Sequence, residues 1–385
     1  MKFMKIPFYQ IRGGSSKGLF FKAEDLPPDE QERNKILLLA MEGTTEGDPR
    51  QIDGLGGATS LTSKVAIISK SENPNADLDY LFVQVVVGKG KVATTQTCGN
   101  ILAGIVPFAI ETGMIEAKHP TTSAKINIMN TGGICEVIVQ TPNGVIETKG
   151  NIKVDGVVGT AAPIICNYLD TVGSTCGALL PTGNTTDIIE GVEVTCIDNG
   201  MPIVIMRASD FGLVGNESKE LLEANEPLRQ KIEQIRLKAG FLMNLGDVKD
   251  QTIPKMCLVS PPENGGAINT RMFIPHVVHE AIGVLAAVSV ATACVIPTSI
   301  GSEFTNGDLR FTNENEEIHS TLSIEHPSGE FTVNLEYQIN DEYIITNDKL
   351  KHQASNIKHS SLLIQKSGVI RTARILSRGE VYIPE

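Results

Sequence analysis

Thr94-Thr95-Gln96-Thr97-Cys98-Gly99-Asn100-Ile101-Leu102-Ala103-Gly104 is the stretch whose reading decides the fold. A short polar run reaches a single thiol, two residues that tolerate unusual backbone angles follow, and an apolar segment then runs to Glu111-Thr112-Gly113. The pattern predicts a loop that delivers Cys98 to the N-terminus of a buried helix. Unpaired backbone N–H groups and the positive end of the helix dipole favour a thiolate or a bound anion there. The plain alternative is a cysteine acting as a small buried apolar side chain, its commonest role. Pro107 predicts a kink or an early end to the helix.

Upstream, Tyr80 to Val87 has strand character and runs through Gly88-Lys89-Gly90 into the Cys98 loop. Before it, Asp53-Gly54-Leu55-Gly56-Gly57-Ala58-Thr59-Ser60-Leu61-Thr62-Ser63-Lys64 leads into the strand Val65-Ala66-Ile67-Ile68. Lys64 therefore stands at the mouth of a buried strand, either in a cleft or as a snorkelling surface lysine. A helical segment is predicted from about Asp29 to Met41. At the start of the chain, the strand Ile6 to Ile11 is followed by Arg12-Gly13-Gly14-Ser15-Ser16-Lys17-Gly18. Its hydroxyls and adjacent N–H groups could hold a carboxylate or phosphate. It equally suits a glycine-rich hairpin turn, and it does not match the P-loop pattern.

Downstream, residues 124–149 alternate in strand fashion with turns at Thr131-Gly132-Gly133 and Pro142-Asn143-Gly144. Gly156 to Pro163 and Leu180 to Asn184 read as extended linker. The second half then repeats the style of the first. It offers strands at Val192–Ile197, Ile203–Met206, Lys255–Ser260 and Arg271–Pro275, and an amphipathic helix from Ser218 to Lys238 broken only by Pro227. Finally His276-Val277-Val278-His279-Glu280 leads into a helix from Ala281 to Cys294. Thr94 to Ala103 can be laid on Val277 to Ala286, a duplication that puts Ala281 opposite Cys98. Two such halves facing each other would aim two helix N-termini at one cleft, which would attract a small polycarboxylate. The expected fold is α+β, with one domain over residues 1–183, completed by a C-terminal strand at 371–385, and a second over 184–370.

Composition narrows the partners. The 33 basic and 45 acidic residues give a net charge of −12 without a basic stripe, which argues against nucleic acid and acidic membranes. Seven cysteines, an odd number without a CxxC pair, read as reduced thiols in a cytoplasm. The apolar run from Ala281 to Pro297 is short for a membrane span and reads as a core helix. His276-x-x-His279 lacks an evident third ligand, so no metal is expected. Gly88-Lys89-Gly90 is too short to imply a nucleotide, and no phosphate loop is placed to support a Schiff-base cofactor on Lys64.

Six ordered pieces carry a resemblance. They are Arg12-Gly13-Gly14-Ser15-Ser16-Lys17-Gly18, Gln51-Ile52-Asp53-Gly54-Leu55-Gly56-Gly57, Leu61-Thr62-Ser63-Lys64-Val65-Ala66-Ile67, Cys98-Gly99-Asn100, His326-Pro327-Ser328-Gly329, and Arg371-Thr372-Ala373-Arg374 closed by Val381-Tyr382-Ile383-Pro384. Together they resemble the 2-methylaconitate isomerase (PrpF-type) family. The resemblance implies a diaminopimelate epimerase-like fold: two pseudo-symmetric α/β domains, each a curved strand-rich sheet around a central helix. It also implies cofactor-free proton movement on an unsaturated di- or tricarboxylate such as methylaconitate, aconitate, methylitaconate or oxalomesaconate. The family's acid/base lysine and cysteine fall on Lys64 and Cys98. The chain departs from the family in having Ser15 where threonine is usual, and from the epimerase fold in having Ala281 where a second thiol is expected. His279 and Glu280 stand beside that alanine, as replacements for the thiol or as helix caps. The turn Asp198-Asn199-Gly200-Met201-Pro202 also lacks the Gly-Asn-Pro order common in such folds.

The expected reaction is an allylic proton shift or cis-trans isomerisation through a dienolate-like anion, with Lys64 as principal base and acid and Cys98 as partner or anchor. Backbone N–H groups at Cys98, Gly99 and Asn100 would stabilise the anion in the manner of an oxyanion hole. Ser15, Ser16, Lys17, Ser63, Asn100, Asn130, Thr131 and Ser328 are candidates for carboxylate binding. The competing readings are a non-catalytic polycarboxylate-binding protein and an amino-acid racemase or epimerase, the latter disfavoured by Ala281. A homo-oligomer fits either reading.

Overall fold

A computed structural model describes residues 3–95, 97–305, 317–339 and 362–384, so Gln96 of the stretch quoted first lies outside the described residues. Two compact units emerge: Met1–Leu169 with Ile370–Glu385, and Asp170–Val369.

The first unit runs β1 (Phe3–Gly13), β2 (Ser16–Lys22), α1 (Glu30–Glu42), β3 (Lys64–Lys70), β4 (Leu78–Val86), β5 (Lys91–Ala93), α2 (Gly99–Leu102), α3 (Ile105–Glu111), β6 (Thr121–Ile128), β7 (Gly133–Gln140), the short pair β8 (Ile152–Lys153) and β9 (Thr160–Ala161), and β10 (Ile164–Tyr168). The second runs β11 (Asp187–Ile189), β12 (Val192–Asp198), β13 (Pro202–Arg207), α4 (Lys219–Ala224), α5 (Glu226–Leu242), β14 (Lys255–Ser260), β15 (Ile268–Ile274), β16 (Val277–Val278), α6 (Val284–Val295), β17 (Ile318–His326), β18 (Gly329–Ile339) and β19 (Leu362–Arg371). The chain then returns to the first unit as β20 (Ala373–Pro384), antiparallel to β1.

The duplication expected from the sequence is present in the ladders. In the first unit β1–β2 is antiparallel, β2–β3 parallel, β3–β4 and β4–β5 antiparallel, β4–β6 parallel, and β6–β7 and β7–β10 antiparallel. In the second, β12–β13, β13–β14, β14–β15, β15–β16, β15–β17, β17–β18 and β18–β19 follow the same sequence of senses. β20 lies on β1 as β11 lies on β12.

Strand alternation sends successive side chains to opposite faces. On one face of the first unit, Leu19, Phe21, Val65, Ile67, Val83 and Val85 pack under α1, whose Ile36, Leu37, Ala40 and Met41 are buried. Asp29 caps that helix by accepting from Glu32 N at 2.9 Å, which fixes its start. On the other face Tyr9 and Phe20 meet Phe108 of α3, with ring centroids 5.3 and 5.9 Å apart. The second unit repeats this with amphipathic α5 over Met256 and Leu258, while α6 is apolar and buried from Ala286 to Val295. A helix apolar all round belongs in a core, which explains the Ala281–Pro297 run. No described helix is long and apolar enough to cross a membrane.

Four sequence expectations shift. Residues 170–183 join the second unit rather than the first. Gly173 N donates to Asp198 O, and Thr175 N and Cys176 N donate to the Asp198 carboxylate, each at 2.8 Å, tying the segment to β12. The helix after Cys98 is two short ones, and the break falls at Ala103-Gly104, ahead of Pro107. The proline sits in the first turn of α3, where its missing N–H has no intrahelical role. The 218–238 helix splits at Asn225, whose side chain caps α5 by accepting from Leu228 N at 3.2 Å. Finally, α6 begins at Val284 with Gly283 as its N-cap, not at Ala281.

Candidate active site

Lys64 opens β3, paired with Gly18 of the parallel β2 and Gln84 of the antiparallel β4. A Cβ on Gly18 would fall 2.5 Å from Lys64 O, so this close approach requires glycine. The Lys64 side chain is only 8% exposed. Its amine donates to Gln84 Oε1 at 2.8 Å and lies 5.3 Å from the centroid of the Phe82 ring. Among the described residues no carboxylate pairs with it, which is unusual for a buried lysine.

The glycine-rich motif upstream of Lys64 holds this strand end. Gln51, at φ +51°, is buried and its Oε1 accepts from Ser63 Oγ at 2.8 Å and Ala58 N at 2.7 Å. Its Nε2 donates to Glu42 Oε1 at 3.4 Å, which also accepts from Gly88 N at 2.8 Å. Ser63, expected to bind a carboxylate, is thus committed to this buried network.

The β1–β2 turn supplies the second cluster. Arg12 Nη1 donates to Gly14 O, Thr372 O and Thr372 Oγ1 at 2.9–3.0 Å, and Gly14 N donates to Thr372 O at 2.8 Å. The Arg371-Thr372-Ala373-Arg374 motif therefore clamps the turn. Gly14 has φ +50°, and a Cβ there would fall 2.1 Å from Asn100 Oδ1. Asn100 Nδ2 in turn donates to Ser15 Oγ at 3.2 Å. Ser16 is buried, and its Oγ has no hydrogen-bond partner among the described residues. Alternation puts Ser16 on the face of β2 that carries Gly18, the partner of Lys64. The Lys17 backbone N–H donates to Leu61 O at 2.8 Å.

Cys98 is the N-cap of α2 and, alone among the seven cysteines, is not buried. Its carbonyl accepts from the hydroxyl of buried Tyr80 at 3.3 Å, and burial pushes that phenol above the usual tyrosine range, keeping it a neutral donor. Because α2 has only four residues, little macrodipole acts on Cys98. The N–H groups of Gly99, Asn100 and Ile101 lack intrahelical partners as in any first turn. Lys64 and Cys98 do not hydrogen-bond each other; they stand on separate elements of the same unit.

A family model described as "PrpF protein" matches residues 3–384. The chain belongs to the PrpF protein family. It is 47% identical to a 4-oxalomesaconate tautomerase of Pseudomonas putida, over 98% of this chain and 96% of that one. It is 48% identical to a (4E)-oxalomesaconate Delta-isomerase of a Novosphingobium species, over 98% of this chain and 97% of that one. The crystal structure of a methylitaconate-delta-isomerase superposes with a TM-score of 0.80 at 30% identity, covering 100% of this chain and 96% of that one. By name these PrpF relatives are a tautomerase and two isomerases.

Other expected residues of this PrpF chain do not join the cluster. The Asn130 amide is used up in the scaffold: Oδ1 accepts from Phe82 N, and Nδ2 donates to Phe82 O and Thr94 O, at 2.8–2.9 Å. Thr131 is exposed in the β6–β7 turn, its N–H donating to Ile128 O at 3.1 Å. Ser328 belongs to the second unit, at the β17–β18 turn, bonded to His326 Nδ1 at 3.3 Å. Neither His279 nor Glu280 caps α6. His279 Nδ1 accepts from Ala281 N at 2.8 Å, and Glu280 pairs with Lys219 at 3.3 Å. His276 faces Glu233 at 3.9 Å, so the two histidines turn to different partners. Sequence reasoning missed Gln84, Gln51 and Tyr80. The one signal for Gln84 was a lone amide in the apolar run Leu81-Phe82-Val83-Gln84-Val85-Val86-Val87.

Proposed function

We infer that this chain is a cofactor-independent tautomerase acting on 4-oxalomesaconate or a close unsaturated tricarboxylate, with Lys64 carrying the proton and Cys98 as its partner. The observation that carries the reading is Lys64 itself: a buried amine held by a neutral amide and an aromatic face, with no carboxylate paired to it among the described residues. A structural lysine in such surroundings would be paired with an acid. A lysine that must give and take a proton is better served by a neutral acceptor.

The chemistry needs no redox change. A base removes a proton from a carbon activated by the neighbouring carbonyl and double bond, and the electron pair delocalises into a dienolate. A proton then returns to the oxygen or to the far end of the conjugated system, so the atoms balance. The substrate carboxylates are anions, and Ser16 Oγ and the paired Ser15 and Asn100 are the groups of the first unit offered for them, leaving Lys64 free to act as the base. Oxalomesaconate is preferred within the class because the relatives bearing that name are 47–48% identical, against 30% for the methylitaconate enzyme. The amino-acid racemase reading gains nothing, since Gly283 at the start of α6 carries no thiol. A cytoplasmic location fits seven unpaired cysteines.

The test is turnover of 4-oxalomesaconate, methylitaconate and 2-methylaconitate followed by ultraviolet absorbance. The reading expects kcat/KM to be highest for 4-oxalomesaconate. Preference for either of the others would overturn the substrate, and inactivity on all three would favour a binding protein.

A further inference from the structure

Gln84 is held by the backbone around it. Its Nε2 donates to Ser63 O and Val85 O at 3.0 Å and to Ser60 O at 3.2 Å. Turning the amide over would aim its oxygen at three carbonyls and its NH2 at the amine of Lys64. Only one orientation satisfies the donors and acceptors, and it presents Oε1 to Lys64 Nζ at 2.8 Å. A glutamate would reach equally far, but its carboxylate would be a permanent counter-charge that favours the ammonium form. The amide fixes the nitrogen and leaves its proton free to move. The backbone that Gln84 grips is braced from the other side, because Ser63 Oγ is anchored by Gln51, which leans on Glu42.

We propose that Gln84 is the positioning residue of Lys64, a neutral acceptor that fixes the amine without supplying a counter-charge. This rests on the reading of Lys64 as the proton carrier.

The experiment compares kcat/KM against pH for the wild type, Gln84→Glu, Gln84→Met and Lys64→Met, each as the full chain with its fold checked by circular dichroism. Both Gln84 variants take away the donor to the three carbonyls, so both should lower Tm, and a merely structural role would move their activities alike. The acidic limb, where the base must first lose its proton, separates them. With glutamate the limb should rise by about one pH unit or more, a loss of roughly tenfold at neutral pH that higher pH recovers. With methionine the limb should stay or fall, because the ammonium has lost an acceptor, while kcat drops. Limbs that move together, or do not move, overturn the proposal. If the glutamate variant does not fold, an upward shift in the methionine variant alone overturns it. Lys64→Met separates the two layers: turnover that survives it ends the Lys64 reading and this proposal together. An inactive Lys64→Met with coincident Gln84 limbs ends this proposal alone.

Discussion

Cys98 and Lys64 differ in how they are held, and that difference assigns their work. Lys64 is buried, bonded to an amide and immobilised in a strand, whereas Cys98 is partly open at a helix start and its carbonyl accepts from Tyr80 and Leu102. The amine is built for position and the thiol for access. Cys98→Ser should therefore lower kcat by about a hundredfold or more while leaving Tm near the wild-type value, measured by steady-state assay and thermal unfolding. A serine variant with near-normal kcat would demote Cys98 to a spacer. At this scale the sequence was only partly readable. Cys98, Ser15, Ser16 and Asn100 stood out because their motifs put polar groups beside glycines, and Lys64 because it stands at the mouth of an apolar strand. The partners of Asn130 and Ser63 were not readable, because an amide or hydroxyl in a turn reads the same whether it faces a ligand or the chain's own groups.

At the scale of elements, a short connection can hold a group whose protonation is coupled to folding. The β16–α6 connection shows it: His279 Nδ1 accepts from Ala281 N–H, so this nitrogen cannot also bear a proton. Burial lowers the His279 pKa, opposed by Glu280 and reinforced by Lys255 and Lys219. The folded chain therefore takes up this proton at lower pH than the unfolded chain does. The associated stability is present above the ordinary histidine value of about 6.5 and is lost as pH falls below it. Tm should drop between pH 7 and pH 5.5, and less so in His279→Asn, whose side-chain oxygen can still accept from a backbone N–H two residues on. Parallel Tm curves for the two proteins would remove His279 from the explanation. Strand positions were legible from alternation, and Pro227 marked a helix break that the structure places two residues earlier, at Asn225. The Ala103-Gly104 break was not legible, because alanine and glycine signal a stop far less strongly than the proline three residues later.

For the whole molecule, one unit of seven ordered ladders is written twice, and the chain's last strand is spent on the first copy. β20 pairs with β1 from Phe3 to Gly13, and buries Ile383 with Ile6 in the core under α1. Deleting residues 372–385 should expose that core and unclamp the β1–β2 turn, which Thr372 holds. The predicted outcome is loss of activity with a broadened, lower unfolding transition by calorimetry. A truncated chain that unfolds like the intact one would mean that β20 adds little to the first unit. The duplication was visible in sequence as a repeated order of strands and helices. Its register was not, since the helix start slid from Ala281 to Val284, with Gly283 as N-cap, once backbone geometry, rather than residue resemblance, defined it.

Solvent isotope exchange tests the central claim most directly. Wild-type enzyme and Lys64→Met are incubated with 4-oxalomesaconate in deuterated water, and carbon-bound deuterium is followed by proton nuclear magnetic resonance and mass spectrometry. The account predicts enzyme-dependent incorporation at the activated carbon with the wild type, and a rate about a hundred- to ten-thousandfold lower with a folded Lys64→Met. Equal incorporation by the two proteins would contradict it.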